Sequence, residues 1–220
     1  MKVVEIFKSI DGEGKRTGKI ATFIRLAGCN LRCGYCDTTY SFDTTKASDM
    51  SVEDIVATCE RLGSPYITLT GGEPLIHPGV GELIDMLCRS RFQVNVETNG
   101  SVDLCKLIEI RDLKSLDLFF TVDYKTKYSG MNHKMVRGAF RYLDPRKDIV
   151  KCVVADKGDM DDALQYLDSF NKPMNIWFSP VFGAMEPSDI VEYVINKNRY
   201  DITVQVQLHK IIWDPDKRGV

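Results

Sequence analysis

Apolar and polar residues follow two rhythms along the chain. Short continuous apolar runs appear at 20–26, 66–70, 93–97, 116–122, 149–154, 174–179 and 202–207. Between them lie segments with apolar residues three or four apart, at 51–62, 80–89, 103–109, 133–143, 160–170 and 187–196. The first rhythm predicts strands covered on both faces, and the second predicts helices with one apolar stripe. Ser51 and Asp54 predict a capping box on the first helix. Residues 3–7 predict an extra edge strand. Alternating strands and helices imply parallel strands joined by crossover helices. The helices are too few for a complete barrel of about 250 residues. The expected fold is therefore α/β, a partial TIM-like barrel with an open, curved sheet of six or seven strands. In such folds the chemistry gathers at the C-terminal strand ends.

Composition narrows the class without naming an activity. The 220 residues suit a single domain spanning 1–220, and 44% hydrophobic with 27% charged residues is ordinary for a globular protein. A net charge of −2 with both signs mixed points to neither nucleic acid nor membrane as a partner. No apolar run reaches the roughly 18–20 residues a membrane span needs. The opening MKVVEIFKSIDGEG has acidic residues too early for a secretory signal. A cytoplasmic location is expected, where seven cysteines, an odd number, do not form a disulfide framework.

The cysteines are unevenly spread. Cys29, Cys33 and Cys36 fall in the loop after the strand at 20–26, with three and then two residues between them. Three thiolates are one short of the set that usually holds a [4Fe–4S] cluster, which leaves one iron open for a ligand. A structural zinc site needs a fourth close ligand, and a dithiol pair of Cys33 and Cys36 leaves Cys29 over. Cys59, Cys88, Cys105 and Cys152 have no ligand spacing and read as small buried apolar residues. Two further strands end in unusual segments, Thr70-Gly71-Gly72-Glu73-Pro74 and Glu97-Thr98-Asn99-Gly100. Each alone reads as a glycine turn. Arg25 stands among Phe23, Ile24 and Leu26, and a lone guanidinium there asks for an internal anion, with a surface salt bridge as the plain alternative.

Taken together and in order, the three-cysteine loop, the GGEP segment and the ETNG segment resemble the radical S-adenosylmethionine (SAM) superfamily. The stretch FKSIDGEGKRTGKIATFIRLAGCNLRCGYCDTTYSFDT, with VDYKTKYSGM and QVQLHKIIW further on, is similar to the 7-carboxy-7-deazaguanine synthase family. The chain departs from that family at Asp11, where glutamine is frequent, and near 123–125, where the family is more apolar.

The resemblance implies a lyase of 7-deazapurine and queuosine biosynthesis. It would convert 6-carboxy-5,6,7,8-tetrahydropterin to 7-carboxy-7-deazaguanine with loss of ammonia. Cys29, Cys33 and Cys36 would bind a [4Fe–4S] cluster, and SAM would chelate its fourth iron. Tyr35, Asp37, Gly72, Glu73, Lys125 and Ser129 would hold SAM. Ile10, Asp11, Gly12, Arg25 and Thr70 would hold the pterin, with Ile10–Gly12 contributing largely through backbone. His209 and Lys210 are further candidates, with helix capping as the alternative. The triplet Cys36-Asp37-Thr38 implies Mg²⁺ on the Thr38 hydroxyl, against a plain turn-capping role. An electron donor such as flavodoxin or ferredoxin and a homodimer complete the expectation. The competing readings are a glycyl-radical activating enzyme and a non-catalytic iron–sulfur or zinc protein.

Overall fold

In the computed structural model, which describes residues 1–215 and 217–220, nine strands form one sheet. The strands are β1 (Lys2–Ile10), β2 (Ile20–Leu26), β3 (Ser48–Asp49), β4 (Tyr66–Gly71), β5 (Gln93–Thr98), β6 (Leu118–Tyr124), β7 (Ile149–Val154), β8 (Ile176–Pro180) and β9 (Ile202–Val204). The helices are α1 (Val52–Leu62), α2 (Val80–Arg89), α3 (Cys105–Lys114), α4 (Lys157–Asp168), α5 (Pro187–Asn196) and α6 (Leu208–Ile212). The sheet order is β3-β1-β2-β4-β5-β6-β7-β8-β9, with the first and last strands unpaired to each other. From β2 to β9 every pairing is parallel. This run is the expected open, partial barrel.

The periodicities explain the layers. β4 and β6 bury almost every residue, and so read as continuous apolar runs. α2 turns Val80, Leu83, Ile84 and Leu87 inward, the spacing of one helical face. α1 buries Ile55, Val56 and Cys59 and ends on Gly63, whose φ of +74° lets its N–H reach the Cys59 carbonyl. At its start, the Ser51 hydroxyl accepts from Asp54 N at 3.0 Å and donates to Asp54 Oδ2 at 2.8 Å. The cap is therefore present, but the Asp54 carboxylate returns to the hydroxyl rather than to the Ser51 amide.

Several expectations need correction. β1 is nine residues long and lies inside the sheet, antiparallel to β2, with the short β3 covering Lys2 and Val3. The helix expected at 133–143 is absent. Two 3₁₀ turns, Asn132–Lys134 and Arg137–Ala139, stand there with Met135 and Val136 extended between them. Val136 N is drawn to the Gly100 carbonyl at 3.1 Å, and a Cβ on Gly138 would press into the Asp103 carboxylate. Tertiary anchoring thus overrides the helical spacing. α3 starts two residues late, at the Asp103 side chain that accepts from Cys105 N, and runs on to Lys114. β9 stops at Val204. Of the four surplus cysteines, Cys59 and Cys152 are buried, Cys88 is half-buried and Cys105 is exposed.

The loop that feeds β7 is pinned by one buried ion pair. Arg111 NH1 donates to both Asp148 oxygens at 2.7 and 2.9 Å, and Asp148 also accepts from Phe120 N and Asp144 N. Both side chains are essentially inaccessible. Removing one partner leaves the other charge buried and unpaired, which costs about 3–5 kcal/mol. Asp148→Ala should lose stability of that order in urea unfolding followed by circular dichroism; a midpoint equal to wild type contradicts the assignment.

Candidate active site

The parallel strands deliver their C-terminal ends to one side of the sheet, and a cavity of about 700 Å³ opens there. β2 runs directly into the cysteine loop. Cys29, Cys33 and Cys36 are unbonded, half-buried and line this cavity. Burial pushes the Cys33 and Cys36 thiols up, while the Lys125 ammonium draws both down. The loop is held from outside itself. Gly34 N donates to Ser129 O at 3.0 Å, and Asn99 Nδ2 reaches Asn30 Oδ1 at 3.0 Å and Cys29 Sγ at 3.7 Å.

β4 ends in Gly71-Gly72-Glu73, packed against the start of the loop. Gly71 stands opposite Leu26 in the β2–β4 register, Gly72 N donates to Leu26 O and Glu73 N donates to Gly28 O. A Cβ on Gly72 would collide with the Gly28 carbonyl and stand 2.8 Å from Cys29 Cβ, so only glycine fits. The Glu73 carboxylate is fully buried. It accepts from Thr98 Oγ1 at 2.7 Å, Asn99 N at 2.6 Å and Leu75 N at 3.0 Å. Burial pushes this carboxyl up to about 7, against the pull of its three donors. Glu73 does not line the cavity; it ties the ends of β4 and β5 together.

Most of the other expected residues meet at the cavity: Ile10, Asp11, Gly12, Arg25, Tyr35, Asp37, Thr38, Thr70, Lys125, His209 and Lys210 all line it. Their engagements refine the expectations. Asp11 is buried, and its carboxylate is taken by Arg16 Nε at 2.9 Å and Thr68 Oγ1 at 2.7 Å. Any contact from this segment is left to backbone. Gly12 packs so closely on His209 that a Cβ has no room, and its carbonyl accepts from Leu208 N at 3.0 Å. Ser129 is not brought to the cavity. Its buried hydroxyl donates to Thr126 O at 2.6 Å and accepts from Met131 N at 3.0 Å. Lys210 is no helix cap, because its Nζ pairs with Asp37 Oδ2 at 3.0 Å. Burial raises Asp37, but Lys210 and Thr38 outweigh it and hold the carboxyl at about 2. Thr38 sits at the N-cap of a 3₁₀ turn without capping it; its hydroxyl donates to Asp37 Oδ1 at 2.9 Å. Arg25 Nε donates to Glu5 Oε1 at 2.7 Å, and Arg25 faces Thr70 in the β2–β4 register.

Glu13, Glu97, Asp123 and Lys151 are among the cavity residues to which the sequence assigned no role. Lys125 pairs with Asp123 at 2.6 Å, Asp123 faces Lys151 at 3.4 Å, and Lys151 reaches Glu13 at 3.2 Å. This alternating row runs across β6, β7 and the β1–β2 loop. Glu97, near the end of β5, lines the cavity, and its carboxyl group has no hydrogen bond or ion pair among the described residues. Burial pushes it up to about 7, with Lys151 pulling down. The argument applied to Arg25 would have found Lys151: a charge inside IVKCVV, an otherwise apolar strand, has to face something.

The donor set fits a cluster with SAM. Three thiolates face one cavity, Gly72 leaves a cradle beside them, and the buried Tyr35 hydroxyl has no protein partner. Among the described residues no His, Cys, Asp or Glu trio surrounds a single ion. A cluster asks for no such convergence, since each thiolate binds a different iron.

A partial barrel with this loop at its strand ends defines the radical SAM class. The Radical SAM superfamily model matches residues 23–138. A 7-carboxy-7-deazaguanine synthase from Clostridium acetobutylicum is 42% identical across all of this chain and 99% of its own length. One from Chlorobaculum tepidum is 34% identical, covering 100% and 97%. The crystal structure of QueE from Escherichia coli superposes with a TM-score of 0.74 at 25% identity, over 94% of each chain. The chain belongs to the 7-carboxy-7-deazaguanine synthase family of radical SAM enzymes, and that membership implies a [4Fe–4S] cluster, SAM and a small-molecule substrate. Among the described residues no helix is long and apolar enough to cross a membrane.

Proposed function

We propose that the protein converts 6-carboxy-5,6,7,8-tetrahydropterin to 7-carboxy-7-deazaguanine and ammonia. One observation carries the reading: the cysteine loop and the Arg25 guanidinium open onto the same cavity, so a radical source and an anion site share one chamber. Full-length likeness to relatives of that name supports it. The cluster and SAM, when bound, supply a radical able to take a hydrogen atom from the substrate carbon.

The chain's own residues do the remaining work. Cys29, Cys33 and Cys36 hold the cluster. Gly72 gives the methionine amine of SAM close approach to backbone, and Glu73 acts by fixing that backbone. Tyr35, Asp37 and Lys125 border the adenosyl part, while Ser129 locks the loop that carries Lys125. Arg25, beside Thr70, offers a fork to the pterin carboxylate, and the backbone of Ile10–Gly12 with His209 walls the ring. Phe23, Leu31, Val153 and Val181 keep the lining partly apolar and exclude water. The electron comes from a reduced carrier such as flavodoxin or ferredoxin in the cytoplasm.

Pterin equals product plus ammonia atom for atom, so the protein has to move protons and needs no oxidant. Loss of ammonia requires a base for a carbon-bound proton and an acid for the leaving amine. Glu97, unpartnered and close to neutral in pKa, suits that exchange. As a base it has to be ionised in the free enzyme. kcat/KM should therefore fall as pH drops below about 7, and Glu97→Gln should lower turnover and remove that limb. A limb that survives the substitution assigns the titration elsewhere.

Mg²⁺ would sit on the Thr38 hydroxyl with substrate oxygens and waters, the sparse protein ligation this ion favours. The decisive assay is anaerobic, with reductant, SAM and the carboxylated pterin, following deazaguanine and ammonia. Wild type should release them in equal amounts without consuming SAM. Thr38→Ala should raise the Mg²⁺ requirement with cluster content intact, and Thr38→Ser should stay nearer wild type. No product overturns the function; superimposed Mg²⁺ curves overturn the ligand.

A further inference from the structure

Beyond α6 the chain returns to the cavity, where Lys217 and Arg218 line it. Arg218 Cζ lies 4.1 Å from the centroid of the Tyr40 ring, a stacking distance for a guanidinium. Arg25 Cζ lies 5.9 Å from the same ring. The ring is itself fixed, because Tyr40 OH donates to Glu5 Oε1 at 2.9 Å, the oxygen that also accepts from Arg25 Nε at 2.7 Å. Two guanidiniums, one from β2 and one from the C-terminal segment, therefore share a tyrosine held in place by Glu5.

Charge counting makes this end of the cavity distinct. The other cavity acids with ion pairs are matched: Asp11 with Arg16, Asp37 with Lys210, Asp123 with Lys125, Glu13 with Lys151. Glu5 is matched by Arg25. Arg218 has no ion pair or hydrogen bond among the described residues, and neither has the Lys217 side chain. An uncommitted guanidinium at the rim of a chamber, a planar fork braced by an aromatic ring, is chemistry for a carboxylate.

We propose that Arg218 is a specificity-determining residue: with Arg25, which borders the same Tyr40 ring, it binds the carboxylate of the substrate and draws the C-terminal segment over the pterin. This rests on the proposed reaction, in which the pterin bears one carboxylate. Arg25 has one edge committed to Glu5, so a second fork completes the recognition. Because Arg218 arrives on the folded-back segment, the same contact ties closure of the mouth to the group that marks the correct pterin. A pterin lacking the carboxylate leaves both guanidiniums without an anion and gains no closure.

The plain alternative is that Arg218 only anchors the segment on Tyr40. Binding separates the two. Dissociation constants are measured anaerobically on the cluster-loaded protein with SAM and without reductant, for 6-carboxy-tetrahydropterin and for tetrahydropterin without the carboxyl group. Arg218→Gln should weaken the carboxylated ligand at least about tenfold, the range of a hydrogen bond to a charged group. It should leave the carboxyl-free ligand within about twofold, since that ligand makes no such bond. Arg218→Lys should fall between, keeping charge and losing the fork. Equal weakening of both ligands, or of neither, overturns the assignment. Arg218 is exposed, so folding is preserved, and cluster content in each variant confirms it. A wild type that makes no deazaguanine overturns the reaction itself, whereas one that makes it but binds both pterins alike overturns only the role of Arg218.

Discussion

The carboxylate of Glu73 receives the Thr98 hydroxyl and the amides of Asn99 and Leu75 in a place that solvent does not reach. Parallel strands pair through their length but not beyond their ends, so something else has to hold the ends in position. Here one buried carboxylate stitches β4 to β5 just past the last ladder bonds. Asn99, fixed by that bond, carries the constraint onward to Asn30 and Cys29. Gly72 transmits it from the other side, because its backbone touches Gly28 and Cys29 too closely for any side chain. The cysteine loop has no regular structure of its own. Its shape is imposed by the strand ends around it.

Electrostatics then arranges the chamber. Glu13, Lys151, Asp123 and Lys125 alternate in sign across neighbouring strands, which lets four charges line a poorly solvated cavity without an unpaired one among them. Asp37 is pinned to Lys210 in the same manner, joining the cysteine loop to α6. Glu97 and Arg218 stand apart from these pairs. One is a carboxyl near neutrality at a strand end, and the other is a guanidinium on the Tyr40 ring with no ion pair among the described residues. A matched background is what makes the unmatched groups informative, because a ligand meets them without first breaking a protein pair.

Much of this was legible in the chain. The parallel run from β2 to β8 followed from apolar runs alternating with helical spacing, and the cysteine loop, GGEP and ETNG marked three strand ends. The segment 133–143 misled because its spacing is helical while its Val136 amide serves the Gly100 carbonyl and its Gly138 abuts Asp103, contacts made by residues distant in sequence. Ser129 and Glu73 sit in recognisable motifs, yet their side chains face inward; a motif names the neighbourhood and leaves the direction of each side chain to the packing. Lys151 was marked only by its charge inside an apolar strand, and Arg218 needed the fold. The first lies on a strand that carries no motif, and the second reaches the cavity only because the chain turns back after α6.

The account makes Glu73 a strut for the cysteine loop and not a direct ligand of SAM. Iron and acid-labile sulfide per chain, measured in anaerobically reconstituted Glu73→Ala before any SAM is added, separate the two. A strut predicts that the cluster fails to assemble or is lost rapidly while the far-ultraviolet circular dichroism stays native. A variant that keeps a full cluster and loses only SAM binding would contradict it.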